Sequence, residues 1–184
     1  MASLAFLRTA PALALLGAAC ALTGCQAFSR EDPRPCPQVR IDAATAEMTR
    51  FRPGPGRDIT DIELTGRVTG YEGTCSYDKT GVTVEMVLSF AIGLGPAASS
   101  RDTRFDYFVA LPNFYPQPAA KQTYEVATTF PPNVDRVVVR DEKVRVRIPL
   151  DAGASAADQD VYVGFQLTGE QLDYNRSRRP GTPS

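Results

Sequence analysis

The stretch from Val82 to Leu94 limits the possible folds of this chain more than any other. Val82, Val84, Met86, Leu88, Phe90, Ile92 and Leu94 occupy every second position without a break. Successive side chains of an extended chain point to opposite faces, so these residues share one apolar face. A helix would scatter them around its axis. A row this long and this apolar has to be covered from the facing side. We therefore expect a strand at the centre of a sheet, packed against a second layer.

The same alternation recurs more faintly elsewhere. Val39-Arg40-Ile41 and Ala46 to Phe51 have strand character, and Arg52-Pro53-Gly54-Pro55-Gly56-Arg57-Asp58 is a turn on composition. Ile59 to Thr74 returns as a strand with Ile62, Leu64 and Val68 on one side. Tyr77 to Gly81 is the next turn. Phe105 to Leu111 and Tyr124 to Phe130 are strands, separated by a proline-rich loop. Val137 to Arg140 and Val144 to Leu150 form either a hairpin or one long strand with a kink at Asp141-Glu142-Lys143. Asp151 to Gln159 is a loop of small residues. Val161, Val163, Phe165 and Leu167 mark the last strand, and Glu170 to Tyr174 suits a single helical turn. Seven to nine strands with frequent turns and no long helical pattern indicate an all-β antiparallel sandwich of immunoglobulin or fibronectin type III-like class. The antibody type is disfavoured, because Trp is absent and the cysteine pair is not placed to bridge two sheets in the usual way.

The amino-terminal segment has a different character. Residues 1–24 carry one charge, Arg8, and from Thr9 to Leu22 the chain is almost wholly Ala, Leu and Gly. This run fits the apolar core of a cleaved signal peptide and is short for a membrane-spanning helix. It ends in Leu22-Thr23-Gly24-Cys25, the pattern of a bacterial lipobox. Small residues let the peptidase reach the backbone, and the thiol of Cys25 takes the diacylglyceryl group. Gly17-Ala18-Ala19-Cys20 lacks the leucine-like residue three positions back and is the poorer site. Several acyl chains hold a protein to a bilayer where a single chain is marginal. The expected organisation is a signal peptide over 1–24, a proline-rich tether over 25–37, a sandwich over 38–175 and a frayed tail over 176–184. Gln26, in place of an aspartate after the cysteine, favours the periplasmic face of the outer membrane over the inner membrane.

Cysteine usage agrees with that compartment. With Cys20 removed and Cys25 acylated, Cys36 and Cys75 remain as one pair, expected as a disulfide. The midpoint between them falls in the Pro53–Gly56 turn. If the flanking arms pair antiparallel, the bridge clasps the base of that hairpin. Cleavage before Cys25 takes the net charge from −1 to −2, which offers no field to attract nucleic acid. Histidine is absent. This excludes Ser-His and Cys-His catalysis and most zinc and copper sites.

Several short motifs extend the reading: Cys36-Pro37 after the lipobox, Gly56-Arg57-Asp58-Ile59-Thr60-Asp61, Gly73-Thr74-Cys75-Ser76-Tyr77, Phe130-Pro131-Pro132-Asn133, Arg147-Ile148-Pro149-Leu150, Val163 to Thr168, and Tyr174-Asn175-Arg176. Through them nearly the whole mature chain resembles a family of uncharacterised alphaproteobacterial lipoproteins. The resemblance implies an envelope location and a β domain. It brings no activity and no catalytic residues.

Candidate contacts are few. Phe114 and Tyr115, in the proline-rich loop, would serve as an exposed contact for a partner or glycan, or else fold under the loop to cap the core. Lys143, Arg145 and Arg147 alternate on one strand face and would meet lipid or lipopolysaccharide phosphates, or else form a solvated face that guards an edge. Asp58, Asp61 and Glu63, and again Asp151, Asp158 and Asp160, cluster at loops. Calcium or a glycosidase pair is the sharp reading of such acids, solvation the plain one. The expectation is a non-enzymatic, membrane-anchored binding or scaffolding module. It needs no cofactor or metal, and an envelope protein is the expected partner. A glycan- or lipid-binding module is the alternative.

Overall fold

The computed structural model describes residues 34–178. The expected signal peptide, Cys25 and most of the tether lie outside the described residues, as do residues 179–184. The strands are β1 (Gln38–Ile41), β2 (Glu47–Phe51), β3 (Ile62–Asp78), β4 (Gly81–Leu94), β5 (Asp102–Ala110), β6 (Lys121–Thr129), β7 (Arg136–Arg140), β8 (Val144–Pro149) and β9 (Asp160–Phe165), followed by helix α1 (Gly169–Ser177). They make two sheets. The first has the order β1-β9-β5-β6, the second β2-β3-β4-β7, with β8 also paired to β4. Leu64, Phe90 and Ile92 of the second sheet and Tyr107, Val163 and Phe165 of the first belong to one buried cluster. The protein is an all-β sandwich. β2, β3 and β4 are neighbours in sequence and in the sheet, an order that does not by itself establish an immunoglobulin or fibronectin type III subtype, where sheet neighbours come from further apart in the chain.

β4 holds the expected central place, with β3 along one side and β7 and β8 along the other. Its inward row from Val82 to Ile92 is buried throughout, and Leu94 is half-buried at the end. Phe90 anchors the core, with ring centroids 5.1 Å from Phe105, 5.1 Å from Tyr107 and 5.5 Å from Phe165. Each such side chain contributes roughly 1.5–3 kcal/mol by leaving water, which is why the alternation alone located the strand. β7 and β8 follow one another along the same side of β4, facing Ser89–Gly93 and Gly81–Met86 respectively. The kinked-strand alternative is therefore the right one. The break falls at residues 141–143, where the Asp141 amide still reaches the Leu88 carbonyl at 3.0 Å.

The clasped hairpin is corrected. β2 and β3 do form the hairpin around the proline-glycine turn, with Glu47 opposite Arg67. β1, however, does not extend that arm. The Asp42 side chain accepts from the Thr45 amide and hydroxyl at 3.1 and 2.8 Å, turning the chain between the two sheets. β1 then lies parallel to β9 in the first sheet, with Val39 beside Val161 and Ile41 beside Val163. The disulfide is present, with Cα atoms of Cys36 and Cys75 5.8 Å apart. It joins the run into β1 of one sheet to β3 of the other. The pair therefore does bridge the two sheets, contrary to the sequence expectation.

Two further boundaries differ. Residues Ile59–Asp61 form a 3-10 turn, so the strand begins at Ile62, and Ile59 is exposed. The carboxy-terminal helix is longer than one turn, running past the expected domain end into Arg176 and Ser177. Thr168 and Gln171 cap its start reciprocally, at 2.9 and 3.3 Å. The Tyr174 ring meets Phe51 edge-on at 4.9 Å, and Asn175 donates to the carbonyls of Ala44 and Glu47 at 3.0 and 2.8 Å. These contacts with β2 and the turn before it hold the helix beyond the length its own sequence would sustain.

Candidate functional site

The two sheets come together along two flanks, and the flanks are built differently. On one, the disulfide ties the sheets. Arg34 lies over the Tyr77 ring at 3.8 Å, and the Tyr77 hydroxyl donates to the Pro35 carbonyl. On the other, β6 of the first sheet and β7–β8 of the second flank an open groove of about 950 Å³. Tyr124 and Val126 line it from β6; Val139, Asp141, Lys143 and Arg145 line it from β7–β8. This is the candidate site.

The groove is floored by a polar tie. Tyr107 on β5 is fully buried, and its hydroxyl donates to the Asp141 carboxylate at the β7–β8 break. Tyr107 stacks on Tyr124 with centroids 5.2 Å apart. Burial, reinforced by the bond to Asp141, pushes the Tyr107 phenol far above its ordinary value of 10.0, and burial also raises Tyr124. Tyr107 therefore stays a neutral donor at every physiological pH. Of the carboxylates that line the groove, Glu125 lies 3.6 Å from Arg104 and Asp141 accepts from Tyr107.

The strand edges differ in how they are guarded. β1 has four residues. β2 has five, with a register shift between Arg50 and Phe51 and Pro53 just beyond. The far arm of β3 carries a bulge between Val68 and Gly70 and is held by the disulfide. β7–β8 is broken in the middle and carries Arg136, Arg140, Lys143, Arg145 and Arg147. Breaks, bulges, short length and charge are the usual protections against strand addition. β6 has no break or bulge, is not short, and carries only one charge of each sign. It runs nine residues in unbroken register with β5, holds no Pro or Gly, and balances Lys121 against Glu125. Among the described residues no backbone partner lies along its outer side.

The sequence candidates separate on this frame. Phe114 sits in the 3-10 turn Pro112–Phe114, half-buried against the core, whereas Tyr115 is 83% exposed. Phe114 thus caps the core while its neighbour Tyr115 faces solvent. The basic row lies on the solvent face of β8, already engaged with acids. Lys143 and Arg145 reach Glu85 at 3.3 and 2.5 Å, and Arg147 reaches Asp78 at 2.7 Å. Arg147, with the Thr80 amide, holds Asp78 well below the usual carboxylate range, and Arg145 with Lys143 lowers Glu85. All three side chains remain exposed beside their acidic partners.

The acid clusters also resolve. Asp58 caps the 3-10 turn, accepting from the Thr60 amide at 2.7 Å, and the Asp61 carboxylate accepts from the Asp58 amide at 3.2 Å. Asp61 is buried, not solvated as the plain reading had it, and is ion-paired with Arg52 at 2.6 Å. Asp160 pairs with Arg40 at 2.8 Å. Among the described residues no group of three acids or cysteines is placed to hold a metal ion. What sequence reasoning missed is the groove itself and its Tyr107–Asp141 floor; the only signal in the sequence was the Asp-Glu-Lys break between two apolar runs. Comparison with protein-family models, curated proteins and solved structures returns no match.

Proposed function

We propose that this chain is a lipid-anchored, non-enzymatic module of the bacterial envelope that binds another envelope component through the groove between β6 and β7–β8. The disulfide carries this reading. A bridge between Cys36 and Cys75 needs an oxidising compartment, and it stands where the tether meets the domain, eleven residues after the lipobox cysteine. The resemblance to alphaproteobacterial lipoproteins supports the same location, with the outer membrane favoured by Gln26. The groove suits an extended protein segment, because an unpaired strand edge supplies main-chain donors and acceptors and the groove supplies side-chain contacts. The alternative, a glycan or lipid held by Tyr115 or the basic row, is supported only by the exposed Tyr115 ring, since Lys143, Arg145 and Arg147 are already paired.

Cys25→Ser tests the anchor. The variant protein is expected in the soluble fraction, and mass spectrometry of the natural protein is expected to find an acylated amino terminus at Cys25. A Cys25→Ser protein that stays with the membrane as before would end this reading.

A further inference from the structure

We infer that the open edge of β6 takes β6 of a second copy of this chain, antiparallel about a two-fold axis through Thr123. The inference rests on the groove being the binding face of an anchored module. Strand addition is favoured at β6 because it is long and unbroken, without the break, bulges, short length or clustered basic charge of the other edges. A two-fold axis perpendicular to the sheet keeps the solvent faces of both copies on the same side. Lys121, Thr123, Glu125 and Ala127 are all exposed on that face. Odd-numbered residues must then oppose odd-numbered residues, which leaves few registers.

Charge chooses among them. Centring on Glu125 sets that carboxylate against itself, which is destabilising. Centring on Tyr124 leaves Lys121 opposite Ala127 and pairs no charges. Centring on Thr123 places Lys121 of each copy opposite Glu125 of the other, giving two opposite-charge pairs across the junction. In the single chain Lys121 lies over the Phe108 ring at 4.6 Å, and Glu125 is 3.6 Å from Arg104. Both side chains are exposed, with contacts loose enough to exchange. The overlap is short, but two copies anchored in one membrane meet at a high effective concentration, so a small interface suffices.

The test uses the full-length lipidated chain in intact membranes. Directly opposite residues of an antiparallel pair have Cβ atoms about 4.5–5.5 Å apart, close to the separation a disulfide spans. Thr123→Cys should give a dimer of twice the chain mass on a non-reducing gel, and Glu125→Cys should not. Adding Glu125→Lys to the Thr123→Cys chain should lower the dimer yield about tenfold, through the two reversed pairs. Adding Lys121→Glu as well should restore it. The melting temperature of each variant shows whether it is folded. A dimer through Glu125→Cys in place of Thr123→Cys overturns the register and the proposal. A crosslink from Thr123→Cys to a different protein overturns the second copy while leaving the groove as a binding face. No crosslink from Cys at any position from Gln122 to Ala127, in chains that melt normally, overturns both.

Discussion

The two flanks of the sandwich solve one problem by different chemistry. On the first, the sheets are joined covalently through Cys36 and Cys75. On the second, they are joined by the Tyr107–Asp141 hydrogen bond, and the space beside it stays open. A covalent tie holds a flank together regardless of packing, and its stabilising effect comes mostly from restricting the unfolded chain. A hydrogen-bonded tie in a half-open groove depends on local geometry and protonation. The contrast makes the second flank the one whose closure depends on a single hydrogen bond.

Breaking the covalent tie should have the largest effect. Cys36 and Cys75 are 39 residues apart, so their bridge contributes about 4 kcal/mol in the chain-entropy account. Replacing both with Ser should lower the melting temperature by many degrees, read by calorimetry; an unchanged melt would show that the first flank is held by packing alone. Next comes the polar tie. Tyr107→Phe removes the phenolic donor to Asp141 and leaves that carboxylate beside an apolar ring. A loss of roughly 1.5–3 kcal/mol in denaturant unfolding is expected, less than for the disulfide.

pH separates the two flanks further. Tyr107 has a raised value in the folded state, so its contribution is fully present below about pH 10 and is lost as pH rises beyond it. The natural protein should therefore lose stability in alkali above about pH 10 more steeply than the Tyr107→Phe variant. Equal slopes would remove the tie from the account. The smallest effect belongs to the basic row. Arg147→Ala should leave the denaturant midpoint nearly unchanged, because the Arg147–Asp78 pair is exposed. NMR titration should nonetheless show the Asp78 carboxyl returning toward its ordinary range, since Arg147 is the main cause of its depression.

Much of the core could be read directly because its signal is local. The inward rows of β4, β8 and β9 follow from alternation alone, and Val82, Ile148 and Val163 are all fully buried as expected. β3 shows where that reading fails. Ile62, Leu64 and Val68 share one parity, but the bulge after Val68 shifts it, so Tyr71, Cys75 and Tyr77 lie opposite the inward residues Leu88, Val84 and Val82. No local pattern announces an inserted residue.

What the sequence determined by itself was which side chains must leave water, where the chain must turn, and that Cys36 and Cys75 would pair. Side-chain period and turn chemistry are properties of neighbouring residues, so they survive without a structure. Which strand lies beside which was decided only in three dimensions. β1 left its expected hairpin for β9, 120 residues away in the Arg40–Asp160 pairing, and that choice turned the disulfide from a hairpin clasp into a bridge between sheets. The groove and its Tyr107–Asp141 floor arise the same way, from strands distant in sequence whose contact reflects competition among all possible partners.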